Sequence, residues 1–164
     1  MSLVANDSCV EPRFAPASQS DDWIIRQGIA LLEQRVFKKG PSLERPAAVK
    51  DYLRLKLAAE PNEIFAIVFL NSMHEVLAYE PMFRGTIHST SVHARPIVQR
   101  ALELNAAAVI FSHQHPSGCT EPSSADRALT QTLRAALSLI DVRVLDHLIV
   151  GQGTPYSFAE SGLL

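Results

Sequence analysis

The sequence predicts an α/β domain in which helices flank a mixed β-sheet in three layers. Three observations predict it. Glu63 to Asn71, EIFAIVFLN, is a continuous apolar run rich in β-branched and aromatic residues, the pattern of a strand buried on both faces. Two later runs, AAAVIFSH ending at His113 and VRVLDHLIVG from Val142 to Gly151, have the same character. Apolar residues at helical spacing fill the segments before and between these runs, and such alternation points to a layered α/β architecture.

The elements follow in order. Met1 to Ser20 are rich in Ser, Pro, Ala and Asp without any period, and read as a flexible leader. Ile25, Ile29, Leu32 and Val36 then mark a helix, with Asp21 or Asp22 as cap and Lys38, Lys39 and Gly40 as its stop; residues 21–45 form this helix and a linker. Pro46 suits the first turn of a second helix, whose stripe is Val49, Tyr52, Leu53 and Leu57. Residues 46–164 make up the main domain. After the strand at Glu63–Asn71, EVLAYE and MFRGTIHS read as two further strands, with Asn71-Ser72 as turn chemistry. A helix covers roughly Ala94 to Leu104 and leads to the strand ending at His113. Ser123 or Ser124 starts a helix carrying Leu129, Leu133, Leu137 and Ile140. Val142–Gly151 is the next strand, and YSFAE holds a last short one.

Composition bounds the function. The chain has 164 residues, 47% of them hydrophobic, with 15 basic and 17 acidic side chains for a net charge of −2. That is ordinary for a globular protein and gives no global field for phosphate backbones. Cys9 and Cys119 are too few and too dissimilarly placed for a disulfide framework, no run is long enough for a membrane span, and the start lacks a secretory pattern, so a cytoplasmic setting is expected.

Chemistry concentrates in HQHPSGCTEPSSAD, residues 113–126. His113 and His115 stand two apart at a strand end, so both imidazoles can point at one spot. Pro116, Ser117, Gly118 and Pro122 bend the chain sharply enough to return Asp126 to them. Two imidazoles and a carboxylate suit one zinc ion with an open position for water, the mark of a catalytic rather than a structural site. The plainer interpretation is a helix start, because Ser123 with Asp126 resembles a capping box with Asp in place of Glu or Gln. The two do not compete, since an Asp oriented by backbone amides can still ligate. A general base must come from elsewhere, and the candidates are Glu63, at the head of the buried strand, and Glu80, beside a turn.

The pattern H-x-H-P-S-G-x-x-x-P-S-x-x-D resembles the JAMM (MPN-plus) zinc motif as used by RadC-like JAB-domain proteins. FRGT from Phe83, RALELNAAAVI from Arg100, VRVLDHLIVG and SFAESGLL agree with that family, and the likeness covers roughly Pro46 to Leu164. It is closest to short members without a helix-hairpin-helix region. The resemblance implies a JAB/MPN (cytidine-deaminase-like) three-layer fold and a zinc metallopeptidase or isopeptidase. It implies His113, His115 and Asp126 as metal ligands, Glu63 as catalytic base, and Ser123 as the donor that steadies the oxyanion. The chain departs from the family pattern at Ala94 and Pro96, and Gln114 replaces a more frequent Asn, with its side chain expected to face away from the metal.

Other residues take plainer roles. Cys119 is expected to line the turn rather than ligate. Adjacent strand residues face opposite ways, so Asp146 and His147 cannot both enter the site, and His147 reads as a buried histidine bonded to backbone. His74, His88 and His93 are expected at exposed turns or strand ends, and Arg84 either in an ion pair or on a substrate tail. The partner is expected to be a peptide or protein substrate. The alternatives are a DNA-repair-associated protein, against which the near-neutral charge counts, and a non-catalytic interaction module. Exposed sheet edges leave a homodimer open.

Overall fold

The computed structural model describes residues 19–36, 46–57, 60–85 and 91–164. The expected leader up to residue 18, Cys9, the helix stop at Lys38–Gly40 and His88 lie outside the described residues. Four helices and five strands follow in the order α1 (Gln19–Val36), α2 (Pro46–Leu57), β1 (Ile64–Leu70), β2 (Val76–Arg84), α3 (Ala94–Glu103), β3 (Ala108–Gln114), α4 (Ser124–Ser138), β4 (Arg143–Val150) and β5 (Tyr156–Ser157). The sheet order is β2-β1-β3-β4-β5. β1 pairs antiparallel with both neighbours, β3 and β4 run parallel, and β5 closes antiparallel on β4. The predicted mixed sheet between helices is present. The parallel pair needs a long crossover, and α4 supplies it.

Strand β1 is buried at every position because it faces helices on both sides. Ile64, Ala66, Val68 and Leu70 pack with Val49, Tyr52, Leu53 and Leu57 of α2. Phe65, Ile67 and Phe69 point the other way, onto Ile97 and Ala101 of α3 and Leu133 and Leu137 of α4. The alternation of side chains along a strand thus produces two cores from one apolar run. Helix α1 lies over α2, with Ile29 and Leu32 against the first core.

Several boundaries differ from expectation; α4, for one, ends at Ser138, short of Ile140. The described part of EVLAYE and MFRGTIHS is one strand, not two, because β2 continues through Pro81. It is an edge strand, where a missing N–H is tolerated, and its register against β1 slips between Phe65 and Ala66 and again between Phe69 and Leu70. Asp21 and Asp22 lie within α1 rather than capping it. Glu63 immediately precedes β1 instead of forming its first residue. No helix among the described residues is long and apolar enough to cross a membrane.

Candidate metal centre

The antiparallel register of β1 on β3 sets the site. Phe65, the second residue of β1, faces His113, the last but one of β3. The start of β1 and the end of β3 therefore meet at one edge of the sheet. Parallel pairing with β4 continues beyond β3, where His115 N donates to Val150 O at 3.0 Å.

The loop after β3 closes through main-chain bonds. Gly118 N donates to His115 O at 2.9 Å, and Gln152 N donates to Gly118 O at 2.8 Å. Gly118 has φ 81°, a left-handed conformation for which glycine is favoured. Ser123 then caps α4. Its Oγ accepts from Asp126 N at 3.1 Å, and Asp126 Oδ2 accepts from Ser123 N at 2.8 Å and from Ser123 Oγ at 2.6 Å. The expected capping box is present with Asp as its acid.

Capping leaves Asp126 aimed at the histidines. Asp126 Oδ1 is 3.2 Å from His113 Nε2, and Oδ2 is 3.5 Å from His115 Nε2. The two Nε2 atoms are 2.9 Å apart. One potential ligand atom from each of His113, His115 and Asp126 lies within 4.8 Å of the others, and the group can hold a metal ion. His113 is buried, while His115 and Asp126 are half-buried. His115 Nδ1 lies 2.9 Å from the Cys119 carbonyl. A carbonyl only accepts, so that nitrogen carries the ring hydrogen and Nε2 presents a lone pair. Cys119 thus serves through its main chain, as turn lining, and its thiol is free.

The local field suits a cation. Burial alone would lower the proton affinity of His115, but Asp126, the Cys119 carbonyl and the Glu63 charge outweigh it and raise its pKa above the usual value. Burial would push Asp126 up, yet the neighbouring imidazoles of His113 and His115 and the Ser123 hydroxyl hold its carboxyl far below the usual carboxylate range. Two imidazoles and a carboxylate form the donor set that borderline-soft divalent metals prefer.

The remaining candidates are placed as follows. Glu63 is half-buried, and its charge reaches His115. Its flanking peptides are held by Gln114, whose Oε1 accepts from Ile64 N at 2.9 Å and whose Nε2 donates to Asn62 O. Gln114 therefore turns away from the centre, as expected. Glu80 is gripped by Arg100 through bonds of 2.6, 2.9 and 3.0 Å. Arg84 pairs with Glu60 at 3.3 Å. His74 meets Arg143 at 2.9 Å, and His93 packs edge-on to Phe83.

His147 is the main correction. It is buried, but its ring bonds to side chains rather than backbone. Nε2 lies 2.8 Å from His113 Nδ1, and Nδ1 lies 2.6 Å from Thr130 Oγ1. Burial pushes its pKa well below the usual value. The alternation argument excluded Asp146 and His147 from sharing the site, and Asp146 does face elsewhere, accepting from Ser157 Oγ at 2.6 Å. Thr130 was not singled out at all, and its only signal is its place one helical turn after Asp126.

Comparison with known proteins agrees with this geometry. A family profile described as RadC-like JAB domain matches residues 43–163. The chain is similar to the UPF0758 protein of Methylibium petroleiphilum, 59% identical over 124 residues, which are 76% of this chain and 56% of that protein. It is also similar to the UPF0758 protein of Leptothrix cholodnii, 57% identical over 76% of this chain and 56% of that one. The UPF0758 protein of Stutzerimonas stutzeri is 54% identical over 139 residues, 85% of this chain and 62% of the relative. The chain thus spans a little over half the length of the curated relatives it matches. Matching over most of its length and carrying the His113–His115–Asp126 group at the end of β3, the chain belongs to the RadC-like JAB domain family.

Proposed function

We propose that the chain is a zinc-dependent hydrolase of amide bonds, a metallopeptidase or isopeptidase, with one zinc ion held by His113, His115 and Asp126. The observation that carries this reading is the convergence of two imidazole nitrogens and a carboxylate on one point. A proton shared among them relieves the crowding only in part, whereas a divalent cation satisfies all three. When bound, zinc supplies a Lewis acid that polarises a carbonyl and acidifies water.

The chain's own residues do the rest. Glu63, whose charge reaches His115, takes the proton of the attacking water and later returns it to the leaving nitrogen. Glu80 is the weaker candidate for this role because Arg100 already occupies its carboxylate. The Ser123 hydroxyl is exposed and donates to Asp126 Oδ2 in the metal-free arrangement; with that carboxylate on the metal, it is the group to turn its hydrogen to the oxygen on which charge develops. The substrate is a peptide or protein segment. The near-neutral net charge does not favour DNA.

The test is elemental analysis of protein purified without added metal, followed by a peptide and isopeptide cleavage panel. The expected result is one zinc per chain, lost in Asp126→Ala, and cleavage that Glu63→Gln abolishes while zinc is retained. Fully loaded protein that cleaves no member of a broad panel would refute the hydrolase reading.

A further inference from the structure

We propose that Thr130 and His147 are positioning residues that fix which nitrogen of His113 is left free to bind metal. The proposal rests on the metal reading above. The Asp126 main-chain carbonyl can only accept a hydrogen bond. It lies 2.6 Å from Thr130 Oγ1, a separation at which two oxygens need a proton between them. The Thr130 hydroxyl hydrogen is therefore committed to Asp126. Thr130 Oγ1 then meets His147 Nδ1, 2.6 Å away, as an acceptor, and Nδ1 must carry the ring hydrogen.

The His147 ring is wholly buried, stacked on Phe158 and edge-on to Phe65 and Phe111. An apolar cage of this kind favours the neutral ring. Its Nε2 is then a lone pair, 2.8 Å from His113 Nδ1. That contact puts a hydrogen on His113 Nδ1 and leaves the lone pair on Nε2, the atom 3.2 Å from Asp126 Oδ1. The hydrogens are thus ordered in one direction along Asp126 O, Thr130, His147 and His113. The chain returns to the residue where it starts, because Asp126 anchors one end with its carbonyl and meets the other with its carboxylate. Ligand orientation and ligand tautomer are set by one closed circuit of bonds.

The test uses the full chain labelled with 15N histidine. Long-range 1H–15N correlations on metal-free protein at mildly alkaline pH read each ring's tautomer. His113 and His147 are both expected to carry hydrogen on Nδ1, and a His113 with its hydrogen on Nε2 overturns the proposal. Zinc affinity is measured by competition with a chromophoric chelator. Thr130→Val keeps the shape but removes the hydroxyl, and should bind zinc about 10- to 100-fold more weakly. Thr130→Ser restores the hydroxyl and should bind like the unaltered protein. Wild-type affinity in Thr130→Val, or equal weakness in Thr130→Ser, overturns the proposal. If even the unaltered protein binds no zinc, the metal reading fails, while the metal-free tautomers still decide the relay.

Discussion

Replacing Gly151 by alanine should displace the histidine loop without touching a ligand. A Cβ built at Gly151 would lie 2.4 Å from Gly118 O and 2.8 Å from Thr120 Cγ2, where ordinary contact begins at 3.4 Å. The Gly118 carbonyl must therefore retreat by about 1 Å, the difference between 2.4 and 3.4 Å. That carbonyl accepts a 2.8 Å bond from Gln152 N, and a retreat of this size takes the bond past its useful range. Losing the bond costs about 1 kcal/mol. Overpacking against main chain adds about 1–3 kcal/mol. The sum, about 2–4 kcal/mol, lowers Tm by roughly 5–15 °C in a chain of this size. The next residue, Cys119, holds His115 Nδ1 through its carbonyl, so His115 turns and zinc affinity falls by about 10-fold or more. Urea unfolding followed by circular dichroism gives the stability change, provided the m-value is unchanged, and chelator competition gives the affinity. A variant within about 0.5 kcal/mol of the parent, with full zinc affinity, would show that Gly151 does not brace the loop.

Further outcomes follow from the same contacts. Gln114→Ala leaves the Ile64 N–H and the Asn62 carbonyl without their partner, a loss of about 2–4 kcal/mol, and the Ile64 amide should exchange faster with solvent. Unchanged exchange at Ile64 would remove Gln114 from the support of Glu63. In metal-free protein, His147 is held neutral by burial, so below pH about 6.5 the unfolded chain takes up a proton that the folded ring refuses. Stability should then fall by about 1.4 kcal/mol per pH unit from this group as pH drops below that value, and the His147→Gln variant should show a shallower slope. His115 acts in the opposite sense: its raised pKa gives stability that is complete below pH about 6.5 and is lost as pH rises through the folded value. Chelation should lower the melting temperature of loaded protein, since zinc at about 100 times its Kd stabilises by about 2.7 kcal/mol; an identical melting temperature with and without chelator argues against a bound metal.

Local pattern made most of the scaffold legible. The apolar runs of β1, β3 and β4 and the stripe of α2 announce themselves because each is buried by its own composition. The His113–His115–Asp126 group was legible for a related reason. His113 and His115 share a strand face, and Asp126 is tied to Ser123 within one helical turn, so short-range geometry nearly fixes their meeting. β2 was misjudged because Pro81 is a strand breaker only where its N–H is needed, and sheet order decides that.

What escaped detection depends on pairings far apart in the chain. His147 meets His113 across 34 residues, and Gln114 reaches Asn62 across 52. Each contact exists because β3 lies between β1 and β4, which no local period specifies. Gln114 illustrates the consequence. It sits between His113 and His115, and its opposite strand face looks like a reason to dismiss it. That face carries its amide to the peptides on either side of Glu63, so one strand end presents the two histidines with one side and braces the general-base candidate with the other. On the proposed reading, strand alternation would divide the work of β3 between metal binding and support of Glu63. If that division holds, substitutions at Gln114 should leave zinc affinity near that of the parent while cleavage falls. Zinc lost in step with cleavage would mean that the two faces are not separable.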